Sequence, residues 1–191
     1  MVAPLLPEGI EILEYDLMLT DSGVQRSDSM FQSPVVERIV GARLWQVRLT
    51  LHARNREGDR NLVKFLQNMA GNDFRLTYPR LDPQLDLNYN GMIDITGSQL
   101  SGERQTLTLS GNHAEAGWLG KLIELNGRTA MVVGQAGATI EVFPHIPVPA
   151  LPYTLSNPGG FVLRPLAPGY PALVQTATGV QPQIFDCVES P

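Results

Sequence analysis

The sequence has one cysteine, Cys187, among 191 residues, so we expect neither a disulfide within the chain nor a cysteine-rich zinc site. The three histidines, His52, His113 and His145, are far apart, and none has the spacing of paired metal ligands. No apolar run approaches the roughly 18 residues that a membrane-spanning helix requires. The sequence therefore predicts no disulfide scaffold, no cysteine zinc site and no membrane insertion.

Basic residues are also scarce. Lys and Arg total 14 against 19 Asp and Glu, which gives a formal net charge of −5 and a pI of about 5.1. This balance argues against specific nucleic-acid binding, because nucleic-acid binders need a basic surface. The segment from Met1 to Gly9 contains no Lys or Arg and does not resemble a secretory signal.

Glycine and proline are frequent, at 18 and 15 residues, and most of the prolines lie at or after Pro144. Beyond Val142 the formal charges are Arg164, Asp186 and Glu189. Proline removes a backbone donor and breaks helices, so the C-terminal quarter is expected to be extended and rich in turns.

Periodicity in the first half predicts mainly strands. Apolar residues alternate over Ile10–Leu19, a second strand is expected at Val35–Val40, and a long loop at 21–33 should join them. The clearest strand is Arg43–Ala53, in which alternate residues from Trp45 to Ala53 are apolar.

One helix interrupts this pattern. Leu62, Phe65, Leu66 and Met69 have helical spacing, with Asn55 or Asp59 as the cap and Gly71 past the end. A strand containing Phe74, Leu76 and Tyr78 should follow and end at Pro79.

The second half predicts a separate group of short strands after a polar linker at Leu81–Asn90. The expected strands are Met92–Thr96, Gln105–Leu109, Leu119–Leu125, Thr129–Val133 and Thr139–Phe143. Asn126-Gly127 is a strong hairpin signal. Five short strands suggest a small closed barrel or sandwich. After it we expect Phe161–Arg164, Ala172–Thr176 and Gln183–Val188.

The search for chemistry identifies no catalytic, cofactor-binding or metal residues. The carboxylates of Glu11, Glu14 and Asp16 fit a solvated strand. The cluster Asp82, Asp86, Asn88 and Asn90 lacks the spacing of an EF-hand calcium loop. Cys187 lies in an apolar strand, where a buried inert thiol is expected.

The order of several motifs resembles one protein family. Arg43-Leu44-Trp45 opens the alternating strand, Lys64-Phe65-Leu66 lies on the helix, and Gly71 to Leu76 leads into a strand. The segments 106–111, 118–123 and 138–144 follow in the expected order. Phe161 to Arg164 and Ile184 to Glu189 occupy the last two places.

This order resembles the distal tail proteins of long-tailed phages and related tail-like particles, over roughly residues 33–191. The resemblance implies a structural virion protein at the tail tip, made in the host cytoplasm. It implies a hexameric ring that continues the tail-tube channel and contacts the tube, hub and fibre proteins. It implies no enzyme activity and no cofactor.

The fold expected from the pattern and the resemblance is mainly β. A tail-tube-like β-sandwich with one flanking helix would comprise residues 1–82 and 160–191, and a small β-barrel at 90–155 would be inserted in it. The alternatives are another tail component, such as a tube or tail-completion protein, and a carbohydrate-binding β module. The last would need exposed Trp45 or Trp118 for sugar stacking.

Overall fold

The computed structural model describes residues 3–20, 24–27, 35–38, 43–68, 72–87, 92–111, 117–148, 150–166, 175–176 and 179–190. The fold is mainly β, as predicted, with two antiparallel sheets that hold most of the strands. The strands are β1 (Ile10–Thr20), β2 (Val24–Ser27), β3 (Val35–Arg38), β4 (Leu44–Ala53), β5 (Phe74–Thr77), β6 (Asp94–Ser101), β7 (Arg104–Leu109), β8 (Leu122–Leu125), β9 (Arg128–Ala136), β10 (Thr139–Phe143), β11 (Tyr153–Thr154), β12 (Gly160–Pro165), β13 (Gln175–Thr176), β14 (Gly179–Val180) and β15 (Gln183–Glu189). The helices are α1 (Arg56–Asn68) and α2 (Tyr78–Leu81).

The first sheet has five strands in the order β1-β4-β15-β12-β5 and is called the terminal sheet here, because both ends of the chain contribute to it. The last strand, β15, lies between β4 and β12, so the C-terminal strand pairs directly with a strand of the N-terminal half. Strands distant in sequence therefore become neighbours at the centre of this sheet.

Strand β4 shows how the sequence pattern determines this sheet. Trp45, Val47, Leu49, Leu51 and Ala53 are buried on one face, as the alternation predicted. Helix α1 covers that face with three buried side chains, Leu62, Phe65 and Leu66.

The start of helix α1 and its packing follow the sequence as well. Asn55 caps the start, because its Oδ1 accepts a hydrogen bond of 2.8 Å from the Gly58 amide. Phe65 packs edge-on against Phe74 with ring centroids 5.2 Å apart. Helix α1 and the strands of the terminal sheet therefore share one core.

The second sheet has six strands in the order β11-β6-β7-β10-β9-β8 and is called the inserted sheet. All its strands lie between residues 94 and 154, whereas the terminal sheet uses residues 10–77 and 160–189. The hairpin β8–β9 turns at Asn126 and Gly127, whose φ angles of 51° and 75° are those of a left-handed two-residue turn. The hairpin prediction is confirmed.

The boundary or linker predicted at Leu81–Asn90 coincides, over its described residues 81–87, with the connection between the two sheets, and this connection is packed. Leu85 packs against the core of the terminal sheet, and Leu87 packs against the core of the inserted sheet. The amide of Leu122 also donates to the Leu85 carbonyl at 2.9 Å. The connection is therefore packed against both sheets through these two leucines.

Other boundaries differ from the predictions. The predicted loop at 21–33 contains β2, Tyr78 begins the four-residue helix α2, and β8 begins at Leu122 rather than Leu119. Proline at the second position of α2 suits a helix start, which the strand prediction overlooked. Met69, Gly71 and residues 39–41 and 172–174 lie outside the described residues. Of the described helices, none has the length and apolar character needed to cross a membrane.

Candidate functional site

Six polar or amphipathic side chains come together where the two sheets meet, a region called the junction here. Four come from the terminal sheet and its short helix, and two come from the hairpin of the inserted sheet. They are Trp45, Arg75, Tyr78, Glu124, Thr129 and Glu189.

Glu124 is the carboxylate that the inserted sheet contributes. It lies in β8 between apolar neighbours, is 5% exposed, and points to the terminal sheet. Arg75 of β5 donates two hydrogen bonds to this carboxylate, of 3.1 Å from Nη1 to Oε1 and of 2.6 Å from Nη2 to Oε2. The amide of Gly160, at the start of β12, adds a third bond of 3.0 Å to Oε2. This is the two-pronged geometry in which arginine binds carboxylates most strongly.

Glu189 is the reciprocal carboxylate, contributed by the terminal sheet. It ends strand β15 and is 1% exposed. The amide of Thr129 in the inserted sheet donates to its Oε1, and the amide of Trp45 lies 3.5 Å from its Oε2. Burial raises the pKa of Glu189 above its ordinary value of 4.5, although the bonds from Thr129 and the charge of Arg128 oppose that rise.

Thr129 is the residue on which the remaining bonds converge. Its carbonyl accepts the indole N–H of Trp45 at 2.9 Å, and its hydroxyl accepts the phenol of Tyr78 at 3.0 Å. Burial raises the pKa of Tyr78 well above its ordinary value, so the phenol stays protonated and able to donate. Each sheet thus supplies the donors that satisfy the other sheet's acceptors.

The local sequence explains why these groups meet. The two-residue turn at Asn126 and Gly127 sets the register of the hairpin, and this register places Glu124 directly opposite Thr129. Pairing of β15 with β4 brings Val188 opposite Gln46, so Glu189 comes beside Trp45. The junction therefore depends on one tight turn and on one long-range strand pairing.

The two carboxylates of the junction are hydrogen-bonded across the boundary between the sheets. Both carboxylates accept backbone or guanidinium donors, and the side chain of Thr129 also forms a hydrogen bond with Glu189. The arrangement can fix the angle between two sheets, which is a mechanical function.

The residues considered from sequence do not come together. His52 lies half-buried on β4 and His145 lies exposed after β10, while His113 is outside the described residues. Within the described part of the chain, no three His, Cys, Asp or Glu side chains are placed to share a metal ion. Asp82 accepts a hydrogen bond of 2.6 Å from Tyr15 and another from the Gln84 amide, and Asn88 and Asn90 are not described.

The carbohydrate-binding alternative required an exposed tryptophan. Trp45 is 6% exposed and Trp118 is fully buried, so neither offers a surface for sugar stacking. Cys187 is also buried, and burial raises the pKa of its thiol to about 12, as expected for an inert thiol.

Sequence reasoning missed Arg75, Glu124 and Thr129. A signal was present, because Glu124 is a charged residue within the apolar run Leu122-Ile123-Glu124-Leu125. A charge in a strand that is otherwise suited to burial predicts a buried partner. That partner could not be identified, since Arg75 is far away in sequence.

Comparison with protein-family models finds no match to this chain, and comparison with curated protein sequences finds none either. The functional argument therefore depends on the motif order and on the geometry described above.

Removing Arg75 tests whether the junction stabilises the fold. We expect Arg75→Met to lower the free energy of unfolding by about 3 kcal/mol, because Glu124 would be left buried without its counter-charge. The matched control is Arg48→Met, since Arg48 bonds Asp186 at 2.7 Å but both side chains are more than half exposed. That change should cost less than about 1 kcal/mol. Urea denaturation measures both, and equal losses would contradict a special role for the junction.

The pH dependence of stability tests Glu189. A carboxyl whose pKa is raised on folding binds protons more readily in the folded state, so its contribution to stability is fully present below pH 4.5 and is lost as the pH rises through its folded pKa. We expect Glu189→Gln to remove this loss and to make stability fall less between pH 4.5 and neutral pH. Thermal unfolding across this range measures the slope. An unchanged slope in the variant would show that Glu189 does not titrate in this way.

Proposed function

We propose that this protein is a structural component of a phage tail tip. It would form a hexameric ring that continues the tail-tube channel and anchors the hub and fibres, with no enzymatic role. The observation that carries the proposal is the convergence of the motif residues. Trp45, Phe65, Phe74 and Phe161 come from four separate motifs of the resemblance and lie in a single buried core.

The proposal includes the finer fold. Residues 1–82 and 160–191 would form a tail-tube-like β-sandwich with α1 on its flank, and residues 90–155 would form an inserted small barrel. Its support is the division of strands between the two sheets at residues 77 and 160. The Tyr153 hydroxyl also accepts a bond of 2.8 Å from the Asn126 amide, which connects the two ends of the inserted sheet.

The junction would keep the two parts of such a protein at a fixed angle. A tail-tip subunit would hold the tube with one part and the hub or fibres with another, so the two parts must keep a fixed angle. Bonds from Arg75 to Glu124 and from Thr129 to Glu189 restrain that angle in both directions. A hinged connection with exposed polar contacts would not transmit force in this way.

The acidic composition also suits the proposed setting. A net charge of −5 on each subunit would be multiplied around a ring, and anionic walls repel the phosphates of DNA that passes through a channel. The localisation that follows is the tail tip of the virion, with the tube, hub and fibre proteins as neighbours.

Electron cryomicroscopy of the particle whose genome encodes this chain tests the proposal. We expect six copies in one ring at the end of the tail tube, with a channel along the six-fold axis. If the chain instead fits many stacked rings along the tail in the reconstruction, it is a tube protein. A location away from the tail, or a copy number that is not a multiple of three, would contradict the proposal.

A further inference from the structure

The two edges of the terminal sheet differ. Residues 4–6 cover β5, since the Arg75 amide donates to the Pro4 carbonyl at 2.8 Å and the Leu6 amide donates to the Arg75 carbonyl at 3.3 Å. Leu6 is 2% exposed and fastens this segment to the core. Pro4 and Pro7 have no N–H group, so the covering segment cannot extend the sheet further on its own.

The opposite edge is β1. Of the described strands, β4 is the one that pairs with it, so the second edge of β1 is not paired to any strand in that part of the chain. At 11 residues, β1 spans about 35 Å. A long strand with unpaired backbone groups is a template for another strand.

The face of β1 that is turned to the core is incompletely covered. Tyr15, Leu17 and Leu19 pack against the buried cluster but are only partly buried. An added strand with apolar side chains on this face would bury them further, because neighbouring residues on adjacent strands touch across a sheet.

The other face of β1 carries two acids, Glu14 and Asp16, followed by the exposed Met18. Glu14 and Asp16 are exposed, and Asp16 lies opposite Arg48, which already bonds Asp186 at 2.7 Å. Glu14 lies opposite Thr50 and has no ion pair with any described residue. One arginine therefore lies beside two aspartates, and among the described residues no positive charge lies beside Glu14.

We propose that the edge of β1 binds an extended segment of a partner protein in which apolar residues alternate with lysine or arginine. Its backbone would continue the sheet, its apolar residues would cover Tyr15, Leu17 and Leu19, and its basic residues would lie beside Glu14 and Asp16. This is strand addition with specificity from alternate side chains. The inference does not rest on the proposed tail function.

A second copy of β1 fits this edge poorly. Antiparallel pairing centred on Tyr15 would place Glu14 opposite Asp16, and registers centred on either acid would place it opposite itself. A register centred on Leu17 avoids this but places the two acids opposite Thr20 and Met18, so neither gains a basic partner. Like charges in directly opposed positions destabilise strand pairs. The β5 edge of a second copy is covered by its own residues 4–6. Charge complementarity therefore favours a different, basic strand.

The test uses the full chain and a short synthetic peptide that alternates lysine and valine, with a glutamate–valine peptide as its counterpart. Fluorescence anisotropy should show saturable binding of the basic peptide and none of the acidic one. Glu14→Lys should weaken binding about tenfold, and Glu14→Gln about threefold, as expected for cross-strand charge pairs. Glu57→Lys makes the same charge change at an exposed position of helix α1 and should leave binding unchanged.

Hydrogen exchange locates the bound peptide, and protection should appear in residues 10–20. Absence of binding, equal weakening by Glu14→Lys and Glu57→Lys, or protection outside β1 would each overturn the proposal. A chain that sediments as a dimer and becomes monomeric in Glu14→Lys would also overturn it, because a second copy would then occupy the edge.

Discussion

Two buried carboxylates, Glu124 and Glu189, lie at the junction, and each faces the opposite sheet. The packing of the two sheets depends on the hydrogen bonds that these carboxylates accept. An ionised carboxylate removed from water costs several kcal/mol unless charged or backbone donors replace the lost hydration. Arg75 and Gly160 of the terminal sheet satisfy Glu124, while Thr129 of the inserted sheet satisfies Glu189. Separating the sheets would leave both carboxylates without these partners, so the two sheets are stable chiefly together.

This constraint gives meaning to the chain topology. Strand β15 is the last strand in the sequence, yet it pairs between β4 and β12. Its final residue, Glu189, lies in the junction. The chain is anchored where it enters the inserted sheet and where it leaves it. Leu85 packs on the core of the terminal sheet before the insertion, and the Gly160 amide bonds Glu124 after it. We propose that a protein built in this way keeps its two sheets at a fixed angle, which is the property that a tail-tip ring would require.

Local patterns in the sequence predicted much of the fold. Burial of one face gives a strand or a helix its own period in the sequence, and this period predicted β4 and the helix that contains Leu62, Phe65 and Leu66. The hairpin turn was predicted from Asn126-Gly127. The junction could not be predicted in this way. The bond between Arg75 and Glu124 joins residues 49 positions apart, and no periodicity encodes such a pair. The packing of the connection could not be predicted for the same reason, since Leu85 and Leu87 contact the two cores only because the sheets meet there.

The central claim is that the junction makes the two sheets one cooperative unit, and differential scanning calorimetry tests it most directly. The account predicts a single unfolding transition in which the calorimetric enthalpy equals the van't Hoff enthalpy, because neither sheet can lose its partner and keep its buried carboxylate satisfied. Two separated transitions, or a calorimetric enthalpy well above the van't Hoff value, would show that the sheets unfold independently and would contradict the account.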